Sequence, residues 1–181
     1  EPLVAVTATA IGRRAVHDAL ERRLAVLALR LHAQRPEQRL PLDALYECER
    51  IEHAIERLVA TGGGRLVSTG SSSIIAVFGL NAPIAKAVSQ AIDVSRQLAA
   101  EEAARYFVAA VIDVGPVAYR EPMEAGSLLA AAGETLDRAQ SSLTSAKVDA
   151  TTLLVSPAAA RAAEFDPKAI ASDTRASSAV L

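Results

Sequence analysis

The chain has 181 residues, 51% of them hydrophobic and 22% charged, and its 19 basic and 21 acidic side chains leave a formal charge of -2. At this length one core buries roughly 70% of the unfolded surface, so a single domain needs neither a metal nor a disulfide to hold it. Near-neutral charge excludes a nucleic-acid surface as the main business, and 3% aromatic residues exclude base-stacking platforms.

The lone Cys48 makes no internal bridge and points to a reducing, cytoplasmic setting. No apolar run approaches the roughly 20 residues of a membrane span, so this segment is expected to make no membrane contact, although a longer protein containing it could still be anchored. The longest run, Leu24 to Leu29, reads as the core stripe of a helix. There is neither an initiator Met nor a signal-peptide pattern at the start, which reads as a segment taken from a longer protein.

In chain order, Leu3 to Ile11 is rich in Val and Thr and predicts a strand. Gly12-Arg13-Arg14 then turns into a helix over about Ala15 to Gln34, with Val16, Leu20, Leu24, Leu27 and Leu31 at helical spacing, ended by Arg35-Pro36. A second helix spans Leu42 to Ala60, its inward face carrying Leu45, Ile51, Ile55, Leu58 and Val59. Gly62-Gly63-Gly64 stops it, and Arg65–Thr69 and Ile74–Phe78 flank the turn Gly70-Ser71-Ser72-Ser73 as a hairpin.

Ala82 to Arg105 is again helical, through Ile84, Val88, Ile92, Val94 and Leu98. Tyr106–Ile112 and Val117–Tyr119 read as two strands hinged at Gly115-Pro116. A helix over Glu134–Leu143, a strand over Thr151–Val155 and an Ala-rich helix complete the pattern. The expected division is one domain over 1–165 and a polar tail over 166–181. The order βααββαββαβ contains a ferredoxin-like β-α-β-β-α-β core, an α+β fold whose mostly antiparallel sheet carries helices on one face.

Residue patterns alone supply no enzyme. The triple glycine lacks the Lys-Ser or Lys-Thr of a phosphate loop and comes after a helix rather than a strand, so it reads as a helix stop. His17, His32 and His53 have no metal-ligand spacing. Ser71, Ser72 and Ser73 read as turn serines, with no nucleophile elbow around them. Glu101-Glu102 and Asp113 have no carboxylate partner in matching strand context. Gly12, Arg13 and Arg14, at the expected strand-to-helix junction, are a candidate anion or phosphate site, against the plainer reading of solvated helix-start residues.

Several strings nevertheless resemble one family, the class III nucleotidyl cyclase catalytic domain. Gly63 to Gly79, GGRLVSTGSSSIIAVFG, is similar to the family hairpin GGRVVKTIGDGVLAVFG and is the most specific piece. Val4–Ile11 resembles the opening strand VTVLFADI, Ile112–Val117 the IHTGEV strand pair, Gly133–Ser141 the segment GEAVNLAAR, and Leu153–Ser156 the closing strand ILVS.

The resemblance implies a domain related to enzymes that make cyclic AMP or cyclic GMP, but with its working positions changed. The two metal-binding aspartates fall on Ala10 and Ser72, so no metal is expected: a methyl offers no ligand atom, and a neutral hydroxyl is a poor ligand for a hard cation. The purine-selecting Lys and Asp fall on Ser68 and about Leu128, and the transition-state Asn and Arg on Asp137 and Ser141. Family sites form between two subunits, so the implied partner is a second copy or another cyclase-homology domain. The resemblance thus implies a catalytically inactive, cofactor-free, dimerising or regulatory signalling module. The alternatives are a nucleotide or anion sensor without turnover, and a residual cyclase with non-standard residues.

Overall fold

The computed structural model describes residues 19–34, 41–69, 73–121, 128–146 and 149–163. Its elements are β1 (Leu20–Ala33), α1 (Pro41–Thr61), β2 (Gly64–Thr69), β3 (Ile74–Phe78), α2 (Ile84–Glu102), β4 (Tyr106–Arg120), β5 (Ala130–Ala132), α3 (Glu134–Thr144), β6 (Thr152–Val155) and α4 (Pro157–Ala163). The expected strand at Leu3–Ile11 lies outside the described residues.

The expected helix over Ala15–Gln34 is overturned, because Leu20–Ala33 is the central strand. Leu24 to Leu29 are all 0% exposed. Leu24, Val26 and Ala28 join one core cluster, and Ala25, Leu27 and Leu29 join the other. A strand buried on two faces carries no polar alternation, so its apolar run mimics a buried helix, and Leu and Ala add helical propensity that tertiary pairing overrides.

Among the described residues the sheet has six strands in the order β2-β3-β1-β4-β5, with β6 also on β4. β1 runs antiparallel to β4 from Leu20↔Tyr119 to Ala33↔Tyr106, and antiparallel to β3 from Ala25↔Phe78 to Leu29↔Ile74. β6 pairs parallel with β4 over Ala109 to Ile112, whereas the other pairs among the described residues are antiparallel. The mostly antiparallel α+β architecture is therefore as expected. On the first face lie α1, α2 and α4, packed through Ile51, Ile55, Leu58, Val88, Leu98 and Ala159. α3 seats a smaller core on the second face through Leu136, Ala139 and Leu143. Leu45, expected inward, is 57% exposed.

β4 is one continuous strand, not two hinged at Gly115-Pro116. Its outer neighbours stop short of that point, since β6 pairs only as far as Ile112 and β5 begins at Ala118. The Pro116 carbonyl accepts a bond from Thr135 Oγ1 at 2.9 Å. A strand residue's nitrogen and carbonyl point to the same side, so the missing N–H of Pro116 faces this gap and costs the β1 ladder nothing. β5, three alanines, has no apolar-polar alternation by which the sequence could announce it.

An ionic network joins α1 to the end of α2. Glu102, 2% exposed, accepts two bonds from the Arg50 guanidinium at 2.6 and 2.7 Å. Tyr106 Oη donates to Glu47 at 2.7 Å, and Arg57 pairs with Glu101 at 2.9 Å. Hydrogen bonds from Arg50 hold the Glu102 carboxyl below its ordinary pKa, against the opposing effect of burial. A carboxylate depressed by folding contributes stability that is present above the unfolded value of about 4.3 and lost as pH falls through the folded one. Denaturant melts should therefore show Arg50→Ala costing about 2–4 kcal/mol at pH 7, because it leaves a buried carboxylate unpaired. Glu102→Gln should flatten the loss of stability between neutral and acid pH, and an unchanged acid limb would contradict the pairing.

Candidate functional site

The hairpin carrying the sequence resemblance lies beside the far end of β1. Because Leu29 pairs with Ile74, Arg30 stands in the register position next to Ser73. Leu24, Val26 and Ala28 belong to the α3-side core, so strand alternation places half-buried Arg30 and then His32 on that same second face. Ser73 is 8% exposed, and its Oγ accepts a bond from Gln140 Nε2 of α3 at 3.4 Å. Burial, and then the charge of Arg30, hold the His32 imidazole below its ordinary pKa. Ser73 and Gln140 thus meet where the hairpin and α3 come together, and Arg30 and His32 continue the same face of β1 beyond its last pair with β3.

The positions implied by the resemblance fall around this corner unevenly. Ser68 comes just after a β-bulge in β2, between Leu66 and Ser68. Leu128 is 45% exposed, and the backbone N–H of its neighbour Leu129 donates to the Leu66 carbonyl at 2.8 Å. Two positions sixty residues apart in sequence are brought to one place by that bond. Asp137 and Ser141 share an exposed stripe of α3, one helical turn apart, while Thr135, Leu136, Ala139 and Leu143 point inward. Ala10, Gly12, Arg13, Arg14 and Ser72 lie outside the described residues.

Asp113, which the sequence leaves isolated, is what seats α3. It is 5% exposed, and its Oδ2 accepts from Arg138 Nε at 2.9 Å, with the Nη2 of the same guanidinium in an ion pair with it at 2.9 Å. Its Oδ1 accepts from Ser156 Oγ at 2.6 Å and from the Val114 N–H at 2.8 Å. Ser156 Oγ in turn accepts from the Ala159 N–H at 3.1 Å, capping the first turn of α4. One carboxylate thereby locks β4 to α3 and to the start of α4. Gly115 lets the helix sit this close, since a Cβ there would come within 2.4 Å of Thr135 Oγ1.

Elsewhere, a groove of about 600 Å³ lies between α2, the start of β4 and β6. Its floor holds Ala99, Val108, Ala110 and Leu153, on the first face and away from Arg30. Among the described residues no group of three or more His, Cys, Asp or Glu side chains is placed to hold a metal ion. No helix among them is long and apolar enough to cross a membrane.

This sheet and its helices define the fold of class III adenylyl and guanylyl cyclase catalytic domains. The chain is similar to the dimeric guanylyl cyclase domain of the RhoGC fusion protein from the aquatic fungus Blastocladiella emersonii, with a TM-score of 0.67 at 12% identity over 81% of this chain and 86% of that one. It is likewise similar to the adenylyl cyclase CyaB from P. aeruginosa, with a TM-score of 0.63 at 13% identity over 81% and 82%. An adenylate/guanylate cyclase/hydrolase from Silicibacter pomeroyi gives a TM-score of 0.59 at 19% identity over 81% and 82%. No protein-family model matches the sequence, and no curated protein is significantly similar to it.

Sequence reasoning missed Arg30 because it placed that residue in a helix. The signal that could have found it is the run Leu24–Leu29, too short for a solitary helix core and long enough for a strand buried on both faces. If Arg30 and His32 share a face, Arg30→Ala should raise the His32 pKa part of the way back toward its ordinary value, as read by NMR titration of the ring protons. An unmoved His32 would place the two side chains apart. Arg138→Ala should speed amide exchange across Leu136–Leu143 by about tenfold or more, the local cost of losing a charge-assisted bond to a buried carboxylate. Exchange in α1 should stay unchanged.

Proposed function

We propose that this chain, over 1–165, is a cyclase-homology domain that no longer turns over nucleotide and serves as a cytoplasmic dimerisation or regulatory module in signalling. The observation that carries the reading is the place of β1. As the strand that pairs with the hairpin, β1 takes the opening-strand pattern VTVLFADI over Leu24–Leu31, and the pattern's aspartate then falls on Arg30 rather than Ala10. No Asp or Glu occurs between Leu24 and Gln34. A fixed guanidinium in place of a carboxylate repels a divalent cation, and Ser72 in the hairpin offers only a neutral oxygen. The residues present do not fit the two-cation centre of cyclases.

The other half of the site supports the same reading. Asp137 puts negative charge where the family has a neutral Asn, and Ser141 removes the Arg cation that offsets charge on the reacting phosphate. If sites form between two subunits, pairing with an intact domain still leaves one site without metals and the other without Asn and Arg. Assembly is a separate matter from chemistry, since the RhoGC domain has been solved both as a dimer and as a monomer. A polar tail over 166–181 completes the proposed division.

The test is an assay of the purified chain with ATP or GTP and magnesium or manganese, alone and mixed with an active cyclase domain mutated in its own metal aspartates. No cyclic AMP or cyclic GMP above the enzyme-free blank is expected in either case. Product in either would overturn the reading.

A further inference from the structure

We infer that the groove between α2, the start of β4 and β6 binds a small organic ammonium, a molecule with an apolar body and one cationic head. Its volume of about 600 Å³ falls within the roughly 300–1,000 Å³ of small-molecule sites. Ala99 and Ala103 of α2 and Ala110 of β4 carry nothing beyond Cβ, which keeps the space between helix and sheet open. With Val108 and Leu153 they offer an apolar surface to a hydrocarbon body. The groove lies on the first face of the sheet, whereas α3, with Asp137 and Ser141, lies on the second. It is therefore a site apart from the positions that the cyclase resemblance makes chemical.

One end of the groove is electronegative. α2 terminates there, and the last carbonyls of a helix lack helical partners and carry partial negative charge. No basic residue in the last turn of α2 offsets it. Gln34 Nε2 donates to the Ala103 carbonyl at 2.9 Å, which leaves its Oε1 as an acceptor beside the helix end. Asp149 comes three residues before Thr152, which pairs with Ala109, so it joins the groove at this same end, beside the start of β4. It is exposed, and no ion pair engages it among the described residues. Neighbouring cations serve elsewhere, since Arg50 and Arg57 pair with Glu102 and Glu101, and Arg105 with Glu47. Arg96 also lines the groove, but it stands seven residues before Ala103, about 10 Å back along the helix and comparable to the Debye length. A carboxylate and carbonyl oxygens at one end thus suit a cation that carries N–H donors, and they repel a carboxylate.

Amide NMR of the full chain titrated with phenethylammonium chloride tests this. The expected result is saturable shifts at Ala99–Ala103, Val108 and Thr151–Leu153, with a millimolar dissociation constant and no shifts in α3. Phenethyl alcohol, the same body without the charge, should bind more weakly, and phenylpropionate, with the opposite charge, more weakly still. Asp149→Asn should weaken the ammonium about three- to fivefold, the worth of an ion pair at an exposed rim, and leave the alcohol unchanged. Ala99→Leu fills the groove and should weaken the ammonium about tenfold or more. Ala103→Leu, at the exposed end of α2, does the same in case Ala99→Leu does not fold. Absence of saturation, shifts confined to other parts of the chain, phenylpropionate binding as tightly as the ammonium, or affinity indifferent to Asp149→Asn or to the filling variants would each overturn the inference. None of these readouts involves a nucleotide, so the inference and the inactive-domain reading fail separately.

Discussion

The burial of β1 on both faces is the constraint on which the rest of the molecule depends. Six consecutive residues, Leu24 to Leu29, are sealed from solvent. That is possible only if their backbone groups are paired on both sides, because an unpaired buried amide or carbonyl costs about as much as a lost hydrogen bond. β3 and β4 supply the pairing, and the two helical layers cover the alternating side chains. Each large side chain so buried contributes roughly 1.5–3 kcal/mol relative to exposure. A one-residue slip would exchange the two core faces and carry Arg30 into the core beneath α1, α2 and α4, so packing fixes the register and the register fixes the site.

The second constraint is the seat of α3. This helix is amphipathic but short, and a helix of its length is marginal without tertiary contacts. Asp113 supplies a polar anchor at its first turns, where Arg138 reaches back to the sheet, and Leu136, Ala139 and Leu143 supply the apolar one. The buried carboxylate is compensated by three hydrogen bonds, one each from Arg138, Ser156 and Val114, and by the guanidinium charge beside it, which meets the need of a buried charge for several partners. The bond from Leu129 to Leu66 then closes the same face from the side of β2.

Much of this was legible in the residues. The hairpin strands, α1, α2, α3 and β6 fall within about two residues of their expected bounds, except at the ends of α2, where frayed turns and the adjoining Ala103-Ala104-Arg105 blur the boundary. Amphipathic helices announce themselves because one face must be polar. β1 did not, for the opposite reason: with no exposed face it carries no alternation, and alanine and leucine suit a helix equally well. β4 was divided because Pro116 reads as a strand breaker until the open outer edge of the sheet is known. Asp113 looked isolated because its partners are 25 and 43 residues away in sequence, and ion pairs of that kind have no local signature.

The same contrast separates the residues that make this fold from those that the cyclase resemblance makes chemical. Framework positions such as Leu27, Phe78, Val88 and Ile112 are buried in the core, where a change of volume or polarity is felt at once in stability. The described positions that the cyclase resemblance makes chemical sit elsewhere: Ser68 after a bulge, Leu128 partly exposed, Asp137 and Ser141 on the outer stripe of α3. Folding places few demands on such sites, since surface substitutions usually shift stability by only a few tenths of a kcal/mol. Residue changes at such positions can therefore leave the framework beneath them undisturbed. What the fold requires and what the resemblance makes chemical thus fall on different residues.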